Sequence, residues 1–96
     1  MINLTLQISL EITHIRLSDI SASGTERIQE VKLSDDTVQT VETVIQGICS
    51  DIKYYYTTSA PSYAEVEVLH PRNRKPYIRT KGNRTESDNL LNLPRF

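Results

Sequence analysis

Cysteine is nearly absent from this 96-residue chain: Cys49 stands alone. No internal disulfide can staple the fold, and a reduced, cytoplasmic setting is expected. Histidine is almost as scarce, and neither His14 nor His70 has a second His, Cys or carboxylate at metal-ligand spacing, which excludes a zinc site. The three glycines, Gly24, Gly47 and Gly82, are too scattered for a Walker loop or a dinucleotide fingerprint. Long apolar runs and a basic N-terminal region are missing too, so neither a membrane span nor a signal peptide is expected. With 96 residues the chain makes a single domain over 1–96, and burying even about 60–65% of its unfolded surface leaves marginal stability that a second subunit would improve.

Charge is present but unevenly distributed. Residues 1–71 hold ten acids against four bases, while residues 72–96 hold two acids against seven bases. That asymmetry points to an anionic partner or to association between unlike surfaces, and a solvated hairpin tip explains it equally well. All five tyrosines also fall between Tyr54 and Phe96.

Alternation of Ile2, Leu4, Leu6, Ile8, Leu10 and Ile12 with polar residues predicts a long strand with one buried face. Ile15 and Leu17 fall on the opposite parity, which requires a bulge near Thr13-His14. Arg27 to Leu33 returns as a second strand. The period then changes: Val38, Val41, Val44, Ile45 and Ile48 predict an amphipathic helix of about three and a half turns, capped by Asp36 with Gln39 as its capping-box partner and left at Ser50 or Asp51. Cys49 falls on its apolar side as a small buried hydrophobe. Ile52 to Thr58, Tyr63 to His70 and Tyr77 to Thr80 complete the pattern. The resulting fold class is α+β, an antiparallel, curved sheet of five to six strands with one amphipathic helix packed on it, in ββ(β)αβββ order.

Matching apolar faces sets Val68 opposite Ile78, Glu67 opposite Arg79 and Leu69 opposite Tyr77. This register gives Arg79 a cross-strand carboxylate. Tyr54 and Tyr56 share one face of their strand and Tyr55 the other, so core tyrosines and a tyrosine free for stacking are both expected. Leu90, Leu91 and Leu93 pin the tail before Pro94 ends regular structure.

Catalytic groupings are not supplied. Glu65 and Glu67 share a strand face, but solvated or Arg-paired carboxylates are the commoner outcome, and no enzyme activity or cofactor is expected. Binding chemistry is supplied. Arg79, Arg84 and Tyr77 lead the candidate site, with Arg72, Arg74, Lys75 and Asn89 behind them: guanidinium forks match phosphate oxygens and a tyrosine ring stacks on a base.

Ile12-Thr13-His14-Ile15, the helix from Thr37 to Ile48, and the ending Tyr77-Ile78-Arg79-Thr80 with Asp88-Asn89-Leu90-Leu91-Asn92-Leu93-Pro94 resemble a family of small uncharacterised bacterial and phage domains, over residues 12–94. The tryptophan expected near the helix start is missing. In size, layout and basic-aromatic C-terminal half the chain also resembles phage Thoeris anti-defence sponges. That resemblance implies sequestration, without chemistry, of a small anionic nucleotide ligand, a cyclic ADP-ribose isomer or a cyclic oligonucleotide. It further implies a homo-oligomer holding ligands at subunit junctions. A protein-interaction module docking an acidic partner through the basic C-terminal hairpin is the alternative. Nucleic acid is the third choice, since the chain is slightly acidic overall.

Overall fold

A computed structural model describes residues 8–18, 24, 27–58, 62–81 and 89–96. The first half of the N-terminal alternation, residues 1–7, and the turn before Tyr63, residues 59–61, lie outside them.

Six strands form one sheet, β1 (Ser9–Leu17), β2 (Ile28–Leu33), β3 (Val38–Thr40), β4 (Lys53–Thr58), β5 (Ser62–Leu69) and β6 (Tyr77–Thr80), with one helix, α1 (Val41–Cys49), between β3 and β4. Their spatial order is β3-β2-β1-β4-β5-β6. The sheet is mixed, not antiparallel as the sequence suggested: β1 and β4 run parallel through Ser9↔Lys53, Leu10↔Tyr54 and Glu11↔Tyr55. The reason is connectivity. β1, β2 and β3 form an antiparallel meander, α1 then serves as the return crossover, and β4 arrives on the free side of β1 running the same way.

The expected bulge is present. Pairing of β1 with β2 shifts between Ile12 and His14, and both Ile12 and Ile15 are consequently buried despite their opposite parity. Past the bulge β1 changes neighbour on its β4 side: Ile15 donates its backbone N–H to the Pro94 carbonyl at 2.9 Å and bridges to Arg95 in parallel. Pro94 therefore does not end regular pairing, because its carbonyl remains a competent acceptor although its nitrogen carries no proton.

The helix starts later than its apolar period suggests. Asp36 adopts a left-handed φ of 69° in a tight turn where Asp36 N–H donates to Leu33 O at 2.9 Å and Leu33 N–H to Thr37 O at 2.8 Å. Asp36 is a turn residue and not the cap. Val38-Gln39-Thr40 then pairs with Glu30, Val31 and Lys32 as an edge strand, consistent with β-branched side chains that lose χ1 freedom in a helix. Thr40 is the N-cap, accepting from Thr43 N–H at 3.2 Å. Gln39, freed from any capping role, accepts the Tyr54 hydroxyl at 2.6 Å.

At the other end, Asp51 N–H donates to Ile48 O at 3.2 Å and Ile52 N–H to Gly47 O at 2.8 Å, with Asp51 at φ 70°. This is a Schellman termination. Cys49, the last residue of the helix, is exposed, which corrects its expected burial.

One face of the sheet packs on α1 and carries the core: Ile12, Ile15, Ile28, Val31, Leu33, Val44, Tyr54, Tyr56, Val66, Ile78 and Leu90 are buried. Inward tyrosines need partners for their hydroxyls, and Tyr56 finds Thr80 at 2.7 Å in a buried pair. The 3-10 helix Asn89–Asn92 brings Leu90 into this layer beside β6. The opposite face carries no helix, and on it lie Glu11, His14, Arg16, Lys53, Tyr55, Glu67 and Arg79, the alternates of the buried positions.

Candidate functional site

The β5–β6 register is the one that apolar matching requires, Glu67↔Arg79, Val68↔Ile78 and Leu69↔Tyr77. Its consequence is chemical. Arg79 Nε donates to Glu67 Oε2 at 3.0 Å on the helix-free face, and Lys81 Nζ lies 3.8 Å from Glu65 Oε2 beside it. The two carboxylates that share a strand face are thus each answered by a cation, one within β6 and one just past its end.

Seven residues were candidates from sequence, and the five whose side chains are described fall in different places. Arg79 is committed to Glu67. Arg72 and Arg74 are exposed in the loop between β5 and β6. Arg84 and the side chain of Asn89 lie outside the described residues. Lys75 and Tyr77 are different: both line a cleft of about 550 Å³ between the first turns of α1 and the entry to β6.

The start of β2 and the start of β6 sit far apart in strand order, yet both reach the helix, and Ser18, Arg27, Ile28, Gln29, Val41, Glu42, Ile45, Gln46 and Pro76 complete the lining. Val41, Ile45 and Ile28 are its apolar part, contiguous with the core. Arg27, Glu42 and Lys75 are its charges, and among the described residues none of the three has an ion-pair partner. The volume lies within the range of about 300–1,000 Å³ usual for small-molecule sites.

Sequence reading missed Arg27, Gln29, Glu42 and Gln46. Arg27 read as the beginning of a strand and Glu42 as part of a polar helix face, and nothing in their spacing connects either to Lys75, with which they share the cleft lining.

Two further clusters occupy the helix-free face. Tyr55 and Tyr63 meet edge to face at 5.8 Å, with Lys53 Nζ 5.6 Å from the Tyr63 ring and Ser9 beside them, around a shallow notch of about 270 Å³. Phe96 is held by Arg16 at 4.5 Å and Lys32 at 5.4 Å over its ring and by His14 edge-on at 6.5 Å, while Arg16 Nε donates to the Phe96 carbonyl at 3.1 Å. Arg16 also pairs with Glu30 at 3.0 Å.

Fold and cleft together define a small single-helix α+β domain on an open mixed sheet, with an apolar-floored, charge-rimmed recess between helix and sheet end. Within that class, the chain belongs to the DUF3892 family, described as a protein of unknown function, whose sequence profile matches residues 11–94. No curated protein and no solved structure matches the chain. No helix among the described residues is long and apolar enough to cross a membrane.

Proposed function

We propose that this domain binds, without converting it, a small anionic ligand bearing a flat ring, of the nucleotide class, in the cleft between α1 and β6. The observation that carries this reading is the placing of two cations that have no ion-pair partner among the described residues, Arg27 and Lys75, with an apolar floor of Val41, Ile45 and Ile28 in one recess. Partial enclosure strengthens charge-assisted bonds to phosphate, and a ring can lie against the apolar floor.

The finer identification, sequestration of a cyclic ADP-ribose isomer or a cyclic oligonucleotide by an anti-defence oligomer, is carried by resemblance alone. Retention is the direct test. Purified protein is incubated with cyclic ADP-ribose isomers, cyclic oligonucleotides and simple nucleotides, freed of unbound ligand, heated, and the supernatant chromatographed. Intact nucleotide released on heating is the expected result. Degraded nucleotide would make the protein an enzyme, and no retention of any of them would remove the nucleotide reading.

A second reading has its own observation: Arg72 and Arg74 are exposed at the β5–β6 tip without ion-pair partners among the described residues. Such a tip can dock an acidic protein surface. In that case Arg72→Glu with Arg74→Glu abolishes partner binding and leaves the cleft's chemistry untouched.

A further inference from the structure

Glu42 is the part of the cleft that a simple anion does not explain. A phosphate or a dicarboxylate would be drawn by Arg27 and Lys75 and repelled by the Glu42 carboxylate in the same recess. Glu42 lies in the first turn of α1, where a carboxylate favourably meets the helix dipole. Glu42 is exposed, yet it also lines the recess together with Gln46 one turn on, where it can meet a ligand as well as the helix dipole. Gln29 adds another amide on the β2 side. The lining is therefore amphoteric: donors only from Arg27 and Lys75, an acceptor only from Glu42, and both from the two glutamines.

Resting on the nucleotide reading of this cleft, we infer that Glu42 is a specificity-determining residue, selecting a ring that carries an exocyclic amino group. Its carboxylate can only accept, so it favours an amino group such as that of adenine and opposes a ring carbonyl at the same position. The phosphate is then held by Arg27 and Lys75, with Gln46 and Gln29 placed for ring nitrogens or sugar hydroxyls. A ligand satisfying all the charges must present an anion at one end and hydrogen-bond donors at the other, which an amino-bearing nucleotide does.

Adenosine and inosine monophosphate make the experiment clean, because they share phosphate and ribose and differ chiefly in an amino group against a carbonyl on the ring. Binding of each is measured by calorimetry, or by ligand-observed NMR if weak, for the unchanged chain and for Glu42→Gln. The unchanged chain is expected to prefer the adenosine compound by about tenfold or more. Glu42→Gln, whose amide can also donate, is expected to bring the two affinities together while leaving dependence on Arg27 and Lys75 intact. Equal affinities in the unchanged chain, both lost in Arg27→Ala with Lys75→Ala, would overturn the assignment of Glu42 and leave the cleft reading standing. If neither nucleotide binds, the cleft reading fails and this inference with it. A purely helix-stabilising role predicts a lowered Tm in Glu42→Gln with an unchanged preference ratio, and that result also overturns the inference.

Discussion

Arg79 and Glu67 face each other directly across β5 and β6, joined by a 3.0 Å bond from Nε to Oε2 with both side chains about a third exposed. The most prominent arginine of the Tyr-Ile-Arg-Thr segment is thus answered within its own sheet, on the face opposite the helix. Exposed cross-strand ion pairs of this kind contribute about 0.2–1 kcal/mol. A double-mutant cycle of Arg79→Ala and Glu67→Ala in urea should return a coupling in that range, shrinking with added salt. Nucleotide retention should survive Arg79→Ala, and its loss from a folded variant would move the site to the open face.

Cleft substitutions should behave differently. Arg27→Ala and Lys75→Ala are each expected to weaken nucleotide binding by about tenfold or more, the effect of removing a charge-assisted bond worth roughly 1.5–3 kcal/mol. Arg72→Ala, outside the lining, should change affinity by less than about twofold. Parallel titrations at low and moderate salt check both, because the cleft variants should also lose salt dependence.

Gly47 sits where α1 presses closest on β4. A Cβ added there would meet the Tyr54 hydroxyl at 2.9 Å, its Cε1 at 3.0 Å and Ile52 Cδ1 at 3.4 Å. Alanine gains up to about 1 kcal/mol of helix propensity over glycine. Overpacking against a buried ring typically costs about 1–3 kcal/mol, and the Tyr54 ring cannot swing away while its hydroxyl is bonded to Gln39. Gly47→Ala should therefore be a net destabilisation, seen as a lowered Tm. Combined with Tyr54→Phe it should cost less than the two single changes together, since the closest atom is gone.

Asp51 invites the opposite outcome. It occupies the left-handed position of the Schellman turn at φ 70° and is exposed, and glycine adopts that conformation without the Cβ penalty. Asp51→Gly should stabilise by about 0.5–1 kcal/mol, offset in part by the unfolded chain's greater freedom. Equilibrium unfolding gives the answer. Loss of stability would mean that the Asp51 side chain has a role beyond its backbone angle.

Burial holds the Tyr54 phenol above its ordinary range, and the proton that it donates to Gln39 Oε1 belongs to the neutral form. The native state then keeps a proton that the unfolded chain releases near pH 10. Stability from this group is fully present below about pH 10 and is lost as pH rises through the native value. The stability advantage of the unchanged chain over Tyr54→Phe should accordingly shrink in urea titrations carried from about pH 9 towards pH 11.

Much of the fold could be read from local pattern. The bulge at Thr13-His14, the burial of Tyr54 and Tyr56 on one strand face, and the β5–β6 register all follow from side-chain parity, which a strand enforces residue by residue. What parity cannot carry is direction. Whether β4 pairs with β1 in parallel depends on the number of reversals between them, and Val38 to Thr40 fitted a helical period as well as a strand until β2 supplied a partner. The cleft was half legible: Lys75 and Tyr77 lay in the conspicuous basic stretch, whereas Arg27 and Glu42 lie in elements that only the tertiary fold brings within reach.

The bridge from Ile15 to Arg95 also sets a schedule for folding. β1 occupies the middle of the sheet, yet past its bulge the neighbour on its β4 side is a segment eighty residues later in the chain. During synthesis the hairpin of β1 and β2 can form early, but the central strand keeps an unpaired edge until residues 94 and 95 have left the ribosome. Contacts of such long sequence separation slow the last step of assembly and leave that edge open to foreign strands in the interval. The core is therefore completed last at its middle rather than at its rim.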